Sequence, residues 1–478
     1  MAQTLLANWW HGKAAWRLDV VASLAAILIV CRLGWEEDLT WVWAFVVCAG
    51  VVTLTAIRWP YGALVVLIAA SAMPFYFVQV FGWNARPEHV AAAIVCLALA
   101  VRLVVSKFTW RLDKIDYWIL TYVILNFVSS ALGSSDPSST LRWALQNSLA
   151  ILAYFLIRGL VRDRKTLRTT FAILLVVGLV ESVFGIVCYW SHQVFGTSTG
   201  VEVGQYLGDV AVPYGSLFEP NLFGAYTACC AILFLALYLF AGHRVGYFAC
   251  FVVSSLAAVL SFSRAVLLAL LLVVGYVVWK NIRLRQAQIR KVAGGLVLVS
   301  ALVLLLAAGS VGGVLRERFD NLSFQGLSDE TTITRIIVAQ QALQDVPDHL
   351  FLGSGTASFN LSFDWAKYVP SWAGEKTWIG NAPLRILHDT GLLGLTAFLG
   401  FFVAIARRFR RIQKLSKIPD AMLIGLMAGT LLYGIAFEST DGTILAFCWV
   451  HLGVLASAVI LVDSSDEAGG TSALREVA

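Results

Sequence analysis

The chain has 478 residues, of which 59% are hydrophobic and only 13% are charged, whereas an average soluble domain has about 25% charged residues. This composition excludes a soluble enzyme, a nucleic-acid-binding protein and a disordered scaffold, in spite of a net charge of +6. A membrane-spanning helix takes about 20 apolar residues, and 59% of 478 is about 282 residues. The chain can therefore supply at most about 14 spans, and we predict an all-α integral membrane protein.

Apolar runs bounded by charged residues, Pro or Gly recur along the whole chain and predict about 14 transmembrane helices, with a range of about 12–14. The predicted runs fall at about 18–33, 40–57, 61–80, 89–105, 117–132, 145–160, 170–190, 221–241, 246–261, 264–279, 292–310, 383–406, 421–437 and 443–462. A single long span interrupted at Ser261-Phe262-Ser263-Arg264 is the alternative to the pair 246–261 and 264–279.

The distribution of the basic residues orients these helices. If the N-terminus is cytoplasmic and the spans alternate, most of the 35 basic residues lie on the cytoplasmic side, including the clusters within 280–291 and 407–417. An even number of spans then places both termini in the cytoplasm. One merged span would move the cluster 280–291 outside, so the positive-inside rule favours two helices at 246–261 and 264–279.

One long segment between spans, 311–382, is predicted to be a large outer loop that contains short helices. Apolar residues at helical spacing predict a helix over Thr331–Asp345, and aromatic residues follow between Phe359 and Trp378. These aromatic side chains are expected either to stack on sugar rings or to pack the loop. The predicted division is N-terminal helices over 1–210, further helices over 211–310, the loop over 311–382, C-terminal helices over 383–463 and a cytoplasmic tail over 464–478.

The sequence contains no signature of a metal site or of a cofactor site. The eight cysteines lie within or at the edges of apolar runs without metal-ligand spacing, which favours a packing role over disulfides or metal binding. A GxxxxGK[ST] nucleotide-binding loop and a hydrolase nucleophile elbow are both absent from the sequence. We expect chemistry without a metal or a cofactor.

Ionisable residues at the ends of spans are candidate functional residues, because burying charge in a membrane is costly. On the predicted outer side, Glu219 precedes the run 221–241, Arg264 lies between two short runs, and Arg335 lies in the predicted loop helix. The alternatives are a helix-terminal acid stabilised by the helix dipole for Glu219 and an interfacial cation for Arg264.

Three further candidates lie in the first turns of the run 383–406. Arg385 and His388 are separated by three residues and Arg385 and Asp389 by four, so all three share one helix face. The alternative to a functional role is an intrahelical ion pair that lowers the cost of burying both charges.

The segment 380–395 resembles the signature of the bacterial O-antigen ligase and polymerase family, in which a His-Asn/Ser/Gln pair is followed, after nine residues, by Gly-x-x-Gly. Asn381, Gly391 and Gly394 match this pattern, but Gly380 occupies the position of the histidine. The elements 216–224, 260–265 and Arg335 followed by 353–355 are similar to further motifs of this family. The resemblance covers about residues 210–410.

The resemblance implies a C-type glycosyltransferase-like fold in the bacterial inner membrane, with a periplasmic active site. The implied reaction is the metal-independent transfer of a glycan from undecaprenyl pyrophosphate to an acceptor hydroxyl. The implied partners are this lipid-linked glycan, membrane lipids, a chain-length regulator and a flippase, with no nucleic acid.

The resemblance also suggests roles for the candidate residues. Pyrophosphate binding is expected from three arginines, and activation of the acceptor from an acid or a histidine, with Asn221, Asn381, Gly391 and Gly394 shaping the site. The expected pyrophosphate ligands are Arg264, Arg335 and Arg385, and the candidate bases are Glu219 first, then Asp389 and His388.

Gly380 favours a polymerase of O-antigen or exopolysaccharide repeats over a ligase that uses the histidine. A ligase with a different base, a catalytically inactive partner protein and a polysaccharide transporter or flippase remain alternatives. Against a transporter, the apolar runs contain no pair of Gly- or Pro-broken central helices at matching positions of two halves.

Overall fold

The computed structural model describes residues 60–74, 78–80, 83–105, 112–203, 211–242, 244–284, 330–369, 374–415 and 420–475. Within these ranges the regular secondary structure is helical apart from two short antiparallel ribbons. Strand β1 (Val78–Val80) pairs with β2 (Trp83–Ala85), and β3 (Val201–Glu202) pairs with β4 (Val212–Pro213). The prediction of an all-α membrane protein is confirmed.

Most helices of the described part of the chain fall into two groups by length and apolar composition. The helix Pro137–Leu160 and the helices of the segment 330–369 belong to neither group. Six are long and apolar enough to cross a membrane, and four are shorter apolar helices. In chain order the helices are α1 (Pro60–Ser71), α2 (Pro87–Val105), α3 (Lys114–Leu132), α4 (Pro137–Leu160), α5 (Arg164–Phe195), α6 (Pro220–Ala236), α7 (Val245–Leu260), α8 (Arg264–Leu284), α9 (Glu330–Asp345), α10 (Ser358–Ser362), α11 (Ala382–Leu415), α12 (Ala421–Ala436) and α13 (Ala446–Arg475). The six long helices are α3, α5, α6 with the π-helical turn Leu237–Ala241, α8, α11 and α13.

Each apolar run predicted within the described ranges overlaps one of these helices. The predicted runs 18–33, 40–57 and 292–310 lie outside the described residues, as does the first part of the predicted loop, so the total of about 14 spans stays a prediction. The helix predicted over Thr331–Asp345 is present as α9.

The two helices on either side of the interruption at Ser261-Phe262-Ser263-Arg264 are separate. α7 ends at Leu260, α8 begins at Arg264, and Phe262 between them has a φ of 50°. A positive φ is unfavourable for a residue with a large side chain. Phe262 is buried and packs in one cluster with Tyr189 and Val212, and this burial compensates for the backbone conformation.

The chain divides into two compact units, Met1–Leu112 with Leu149–Val177 and Leu445–Leu461, and Asp113–Ser148 with Gly178–Ile444 and Val462–Ala478. In the described part of the first unit, α1 packs against α2 through Val66 and Ala91. Arg158 of the same unit donates a hydrogen bond to Ser457 Oγ at 3.3 Å.

The second unit is built around α6, which is buried from Leu222 to Ala236. α6 packs against α7, α8 and α12, and its small residues allow close approach. A Cβ added to Gly425 of α12 would lie 3.1 Å from the Cβ of Ala236. Small residues at helix contacts are typical of membrane proteins, where they bring backbones close together. The N-terminus of α6, which follows Glu219, is thus held in a rigid frame.

Candidate functional site

The segment 437–444, which follows α12 and is called the connector here, contacts the candidate residues Glu219 and Asn381, and also Arg385, through polar side chains. Thr440 Oγ1 donates a hydrogen bond to Glu219 Oε1 at 3.1 Å. Asn381 Nδ2 donates to the carboxylate of Glu438 at 2.6 Å and to its carbonyl oxygen at 3.2 Å. The start of α6 and the start of α11 therefore meet at the connector.

Glu219 occupies the N-cap position of α6, but in the described structure its side chain caps no backbone N–H. Glu219 Oε1 instead accepts hydrogen bonds from Asn221 Nδ2 at 2.9 Å and from Thr440. The side chain of Asn221 thus orients the carboxylate of Glu219.

Burial raises the pKa of the Glu202 carboxyl in β3, and the nearby charge of Glu219 raises it further.

The turn before Glu219 is held by a buried acid that sequence analysis did not identify. Glu181 of α5 accepts hydrogen bonds from Ser216 N at 2.8 Å and from Ser216 Oγ at 2.6 Å. Gly215 has a φ of 58°, and a Cβ at this position would collide with the Glu181 carboxylate. The signal in the sequence was a lone glutamate within the apolar run 170–190.

Arg264 begins α8 beside the N-terminal turn of α6. A Cβ added to Gly224 of α6 would collide with Ser261 Oγ, so the turn before Arg264 touches α6 one turn after Glu219. Arg264 is partly buried. The elements that carry Glu219 and Arg264 are therefore in direct contact.

Arg385 lies in a buried cluster of ionic groups. Its Nη1 donates to Asp389 Oδ2 at 3.1 Å, its Nη2 donates to Thr443 Oγ1 at 2.7 Å, and its Nε forms an ion pair with Asp441. Arg385 is only 4% exposed. The geometry supports the ion-pair alternative for Arg385 and Asp389, and it adds Asp441 and Thr443 of the connector, which sequence analysis did not identify.

His388 joins this cluster to the segment before α11. Its Nδ1 lies 3.4 Å from Asp389 Oδ1, and its Nε2 lies 3.7 Å from Asp345 Oδ2 at the end of α9. Its ring packs edge-on against Phe359 of α10, with ring centroids 5.5 Å apart. His388 is buried, so its imidazole contacts protein groups on several sides.

α11 is broken at Gly391, which has a φ of 64° and a ψ of −169°. A Cβ there would collide with the carbonyl group of Phe351, and a Cβ at Gly353 would collide with the backbone of Asp389. Ser354 N donates to His388 O at 2.9 Å and Gly355 N to Asp389 O at 3.0 Å.

The turn 350–355 thus supplies partners for backbone groups of α11 near the break. Glycine is required at positions 353 and 391 because both have positive φ and both contact backbone. Gly394 is a third close contact, since a Cβ there would collide with the side chain of Thr390.

Polar side chains of α3 fix the other side of this turn. Gly355 N donates to Ser129 Oγ at 3.0 Å, and Thr356 N donates to Ser130 Oγ at 3.0 Å. Thr356 Oγ1 donates to Asn126 Oδ1 at 3.1 Å. Asn126, Ser129 and Ser130 share one helix face, a signal that was present within the apolar run 117–132.

The segment from α9 to Ile379 has its own apolar core, formed by Val338 and Ala342 with Phe359, Trp365 and Ile379. Phe359 and Trp365, two of the aromatic residues of the segment, therefore pack this core, whereas others are exposed.

Tyr368 and Trp378 are each 42% exposed. Trp378 also contacts Trp143 of α4 edge-on, with ring centroids 4.9 Å apart. Arg335 is exposed on α9, one turn before Val338.

Within the described ranges, no group of three or more His, Cys, Asp or Glu residues is arranged to hold a metal ion. The polar groups instead form a line of contacts. It runs from Glu219 through the connector to Asn381 and then to the ionic cluster around Arg385.

A comparison with family models gives a match that covers part of this site. A family model described as O-antigen ligase matches residues 249–399, which include Arg264, Arg335, Asn381, Arg385 and Gly391. The comparison with curated proteins finds no match. Over these residues the chain is similar to the O-antigen ligase family.

Proposed function

We propose that the protein polymerises oligosaccharide repeats linked to undecaprenyl pyrophosphate at the periplasmic face of a bacterial inner membrane. The observation that carries this proposal is the meeting of Glu219, Asn381 and Arg385 at the connector, beside the element that begins with Arg264. In this proposal the chain has about 14 spans, with both termini in the cytoplasm.

Arg264 and Arg335 bind the pyrophosphate of the donor. Arginine carries a permanent charge and can form two parallel hydrogen bonds to phosphate oxygens. It stabilises the charge that develops on the leaving pyrophosphate, most strongly where water is excluded. Arg385 has a different role in this proposal, because Asp389 and Asp441 already neutralise it. Arg385 positions the connector.

The acceptor sugar must lose a proton when its hydroxyl oxygen attacks the anomeric carbon. His388 and Asp389 are buried in the ionic cluster, so we assign them a positioning role. Glu219 is less buried, and among the residues identified from the sequence it is the candidate for this function. Because pyrophosphate is already a good leaving group, the transfer in this proposal needs neither nucleotide nor metal.

A glycan ligase is the second candidate, because the family model that matches is described as O-antigen ligase. Gly380 in place of the family histidine favours the polymerase. The acceptor separates the two functions: a polymerase extends lipid-linked repeats, whereas a ligase transfers the glycan to lipid A-core or to another acceptor.

The test uses purified protein in phospholipid vesicles. Its donor is the polyprenyl-linked oligosaccharide extracted from a strain that lacks this gene. Polymerase activity produces a ladder of lipid-linked products, and a single transfer to added lipid A-core identifies a ligase. Failure to form either product with folded protein would refute both proposals.

The variants Arg264→Ala and Arg335→Ala test the assigned pyrophosphate ligands. We expect each to lower transfer by about 100-fold or more, with Arg410→Ala as the control. Arg410 is exposed and lies in the last part of α11. Wild-type transfer by both variants would remove these arginines from the mechanism.

A further inference from the structure

The connector brings a second carboxylate to the site, at Glu438. Glu438 is exposed, whereas Asp389 is buried, the Asp441 side chain is only 7% exposed, and both share the guanidinium of Arg385. A proton taken up by either aspartate would weaken that ionic cluster. Glu438 can take up a proton without this cost.

Asn381 fixes the orientation of the Glu438 carboxylate. Asn381 Oδ1 accepts a hydrogen bond from Leu384 N at 2.8 Å in the first turn of α11. An amide whose oxygen is engaged in this way must present its NH₂ group elsewhere. Here the NH₂ group donates to Glu438 Oε2 at 2.6 Å, so the first turn of α11 and the carboxylate are rigidly joined.

The backbone of the connector runs beside Gly380. Ala382 N donates to Phe437 O at 2.9 Å, and a Cβ added to Gly380 would lie 3.3 Å from Ser439 O. No side chain leaves the backbone at position 380 itself. Glu438 therefore supplies an ionisable side chain next to a position that has none.

We propose that Glu438 is the general base of the transfer and that Asn381 is its positioning residue. This inference rests on the proposed function. The acceptor hydroxyl oxygen forms a bond to the anomeric carbon of the donor, and the bond from that carbon to the pyrophosphate oxygen breaks. The pyrophosphate keeps the bonding electron pair. The hydroxyl proton passes to the Glu438 carboxylate and then to water.

Glu219 has a different role in this mechanism. Its Oε1 accepts a hydrogen bond from Thr440 Oγ1, two residues after Glu438, so Glu219 anchors the connector to the start of α6. The connector is thus held at three places, by Glu219, Asn381 and Arg385, and the contact with Asn381 is made by Glu438 itself.

The test measures kcat and KM for the lipid-linked oligosaccharide extracted from the deletion strain, with the protein in vesicles. Glu438→Gln is expected to lower kcat by about 100-fold or more, the usual contribution of a general base, and to leave KM within about twofold. Glu438→Asp, which keeps a carboxylate, is expected to retain more kcat than Glu438→Gln. The control is Glu375→Gln, because Glu375 is also exposed.

Two results would overturn the inference: a Glu438→Gln variant with wild-type kcat, or one with raised KM and unchanged kcat. If Glu438→Gln does not fold, Asn381→Ala provides the second measurement, with an expected loss of about tenfold in kcat. Wild-type kcat in Asn381→Ala would then overturn the inference. A wild-type protein that forms no product refutes the proposed function itself, and so the two failures are distinguishable.

Discussion

The buried cluster around Arg385 makes a sharp prediction about stability. Arg385→Ala removes the guanidinium that pairs with both Asp389 and Asp441, and it leaves both carboxylates in a site where Asp389 is only 1% exposed. If Arg385 instead bound the donor, the same substitution would weaken donor binding and leave folding intact. Stability and KM therefore separate the two roles of this residue.

The size of the stability loss in Arg385→Ala depends on the hydrogen-bond donors that Asp389 and Asp441 keep. Breaking a buried ion pair by removing one partner costs about 3–5 kcal/mol. Asp389 keeps its hydrogen bond from Ala357 N at 3.2 Å, and Asp441 keeps its hydrogen bond from Thr443 Oγ1 at 2.6 Å. These remaining donors place the expected loss for Arg385→Ala near the lower end, at about 3 kcal/mol.

The assay is unfolding of the purified protein in detergent, monitored by the change in Trp fluorescence as buried Trp side chains become exposed. Arg410→Ala is the control and is expected to change stability by less than about 0.5 kcal/mol, as for an exposed position. The triple variant Arg385→Met, Asp389→Asn, Asp441→Asn is expected to recover most of the loss, because no buried charge is left unpaired. Arg385→Ala with wild-type stability would refute this reasoning.

The remaining predictions concern the break in α11, the acid in β3 and the aromatic residues. Gly391→Ala is expected to lower the free energy of unfolding by more than about 1–2 kcal/mol for the positive φ of this residue alone. Thermal unfolding measures the loss, and the control is Gly434→Ala, whose added Cβ meets no atom within 4 Å. The pKa of Glu202 is raised from 4.5 by burial and by a neighbouring acid, so the free energy of unfolding of the wild-type protein should fall as the pH rises above 4.5 through this raised pKa. Glu202→Gln should lessen that fall, as measured by unfolding at a series of pH values. Trp378→Ala should raise KM for the lipid-linked acceptor with little loss of stability, whereas Phe359→Ala should cost about 3–5 kcal/mol of stability; the opposite pattern would exclude sugar stacking at Trp378.

Much of the fold could be predicted from the sequence, because a membrane requires long apolar helices and each such helix is a local feature. The separation of α7 from α8 at Arg264 was predicted from charge alone. The spacing of Arg385 and Asp389 likewise fixed their shared face on one helix, and the structure has them in contact.

The partners of the candidate residues could not be predicted. Asp441 and Glu438 lie in a short polar stretch between two apolar runs, and nothing local to that stretch indicates that it reaches the start of α11. The same holds for Glu181, which bonds Ser216 across 35 residues of sequence. Such contacts depend on which helices are neighbours, and apolar runs of similar composition do not specify their neighbours.

The contact between the turn 350–355 and α11 has a consequence for sequence variation. It is made by backbone hydrogen bonds, and the side chain of Phe351 is 65% exposed. Leu392 N donates to Leu350 O at 2.8 Å, a bond that exists whatever side chain stands at either position. The turn can therefore accept many residue types at positions 350 and 351 without moving the ionic cluster, and the register of α11 stays the same.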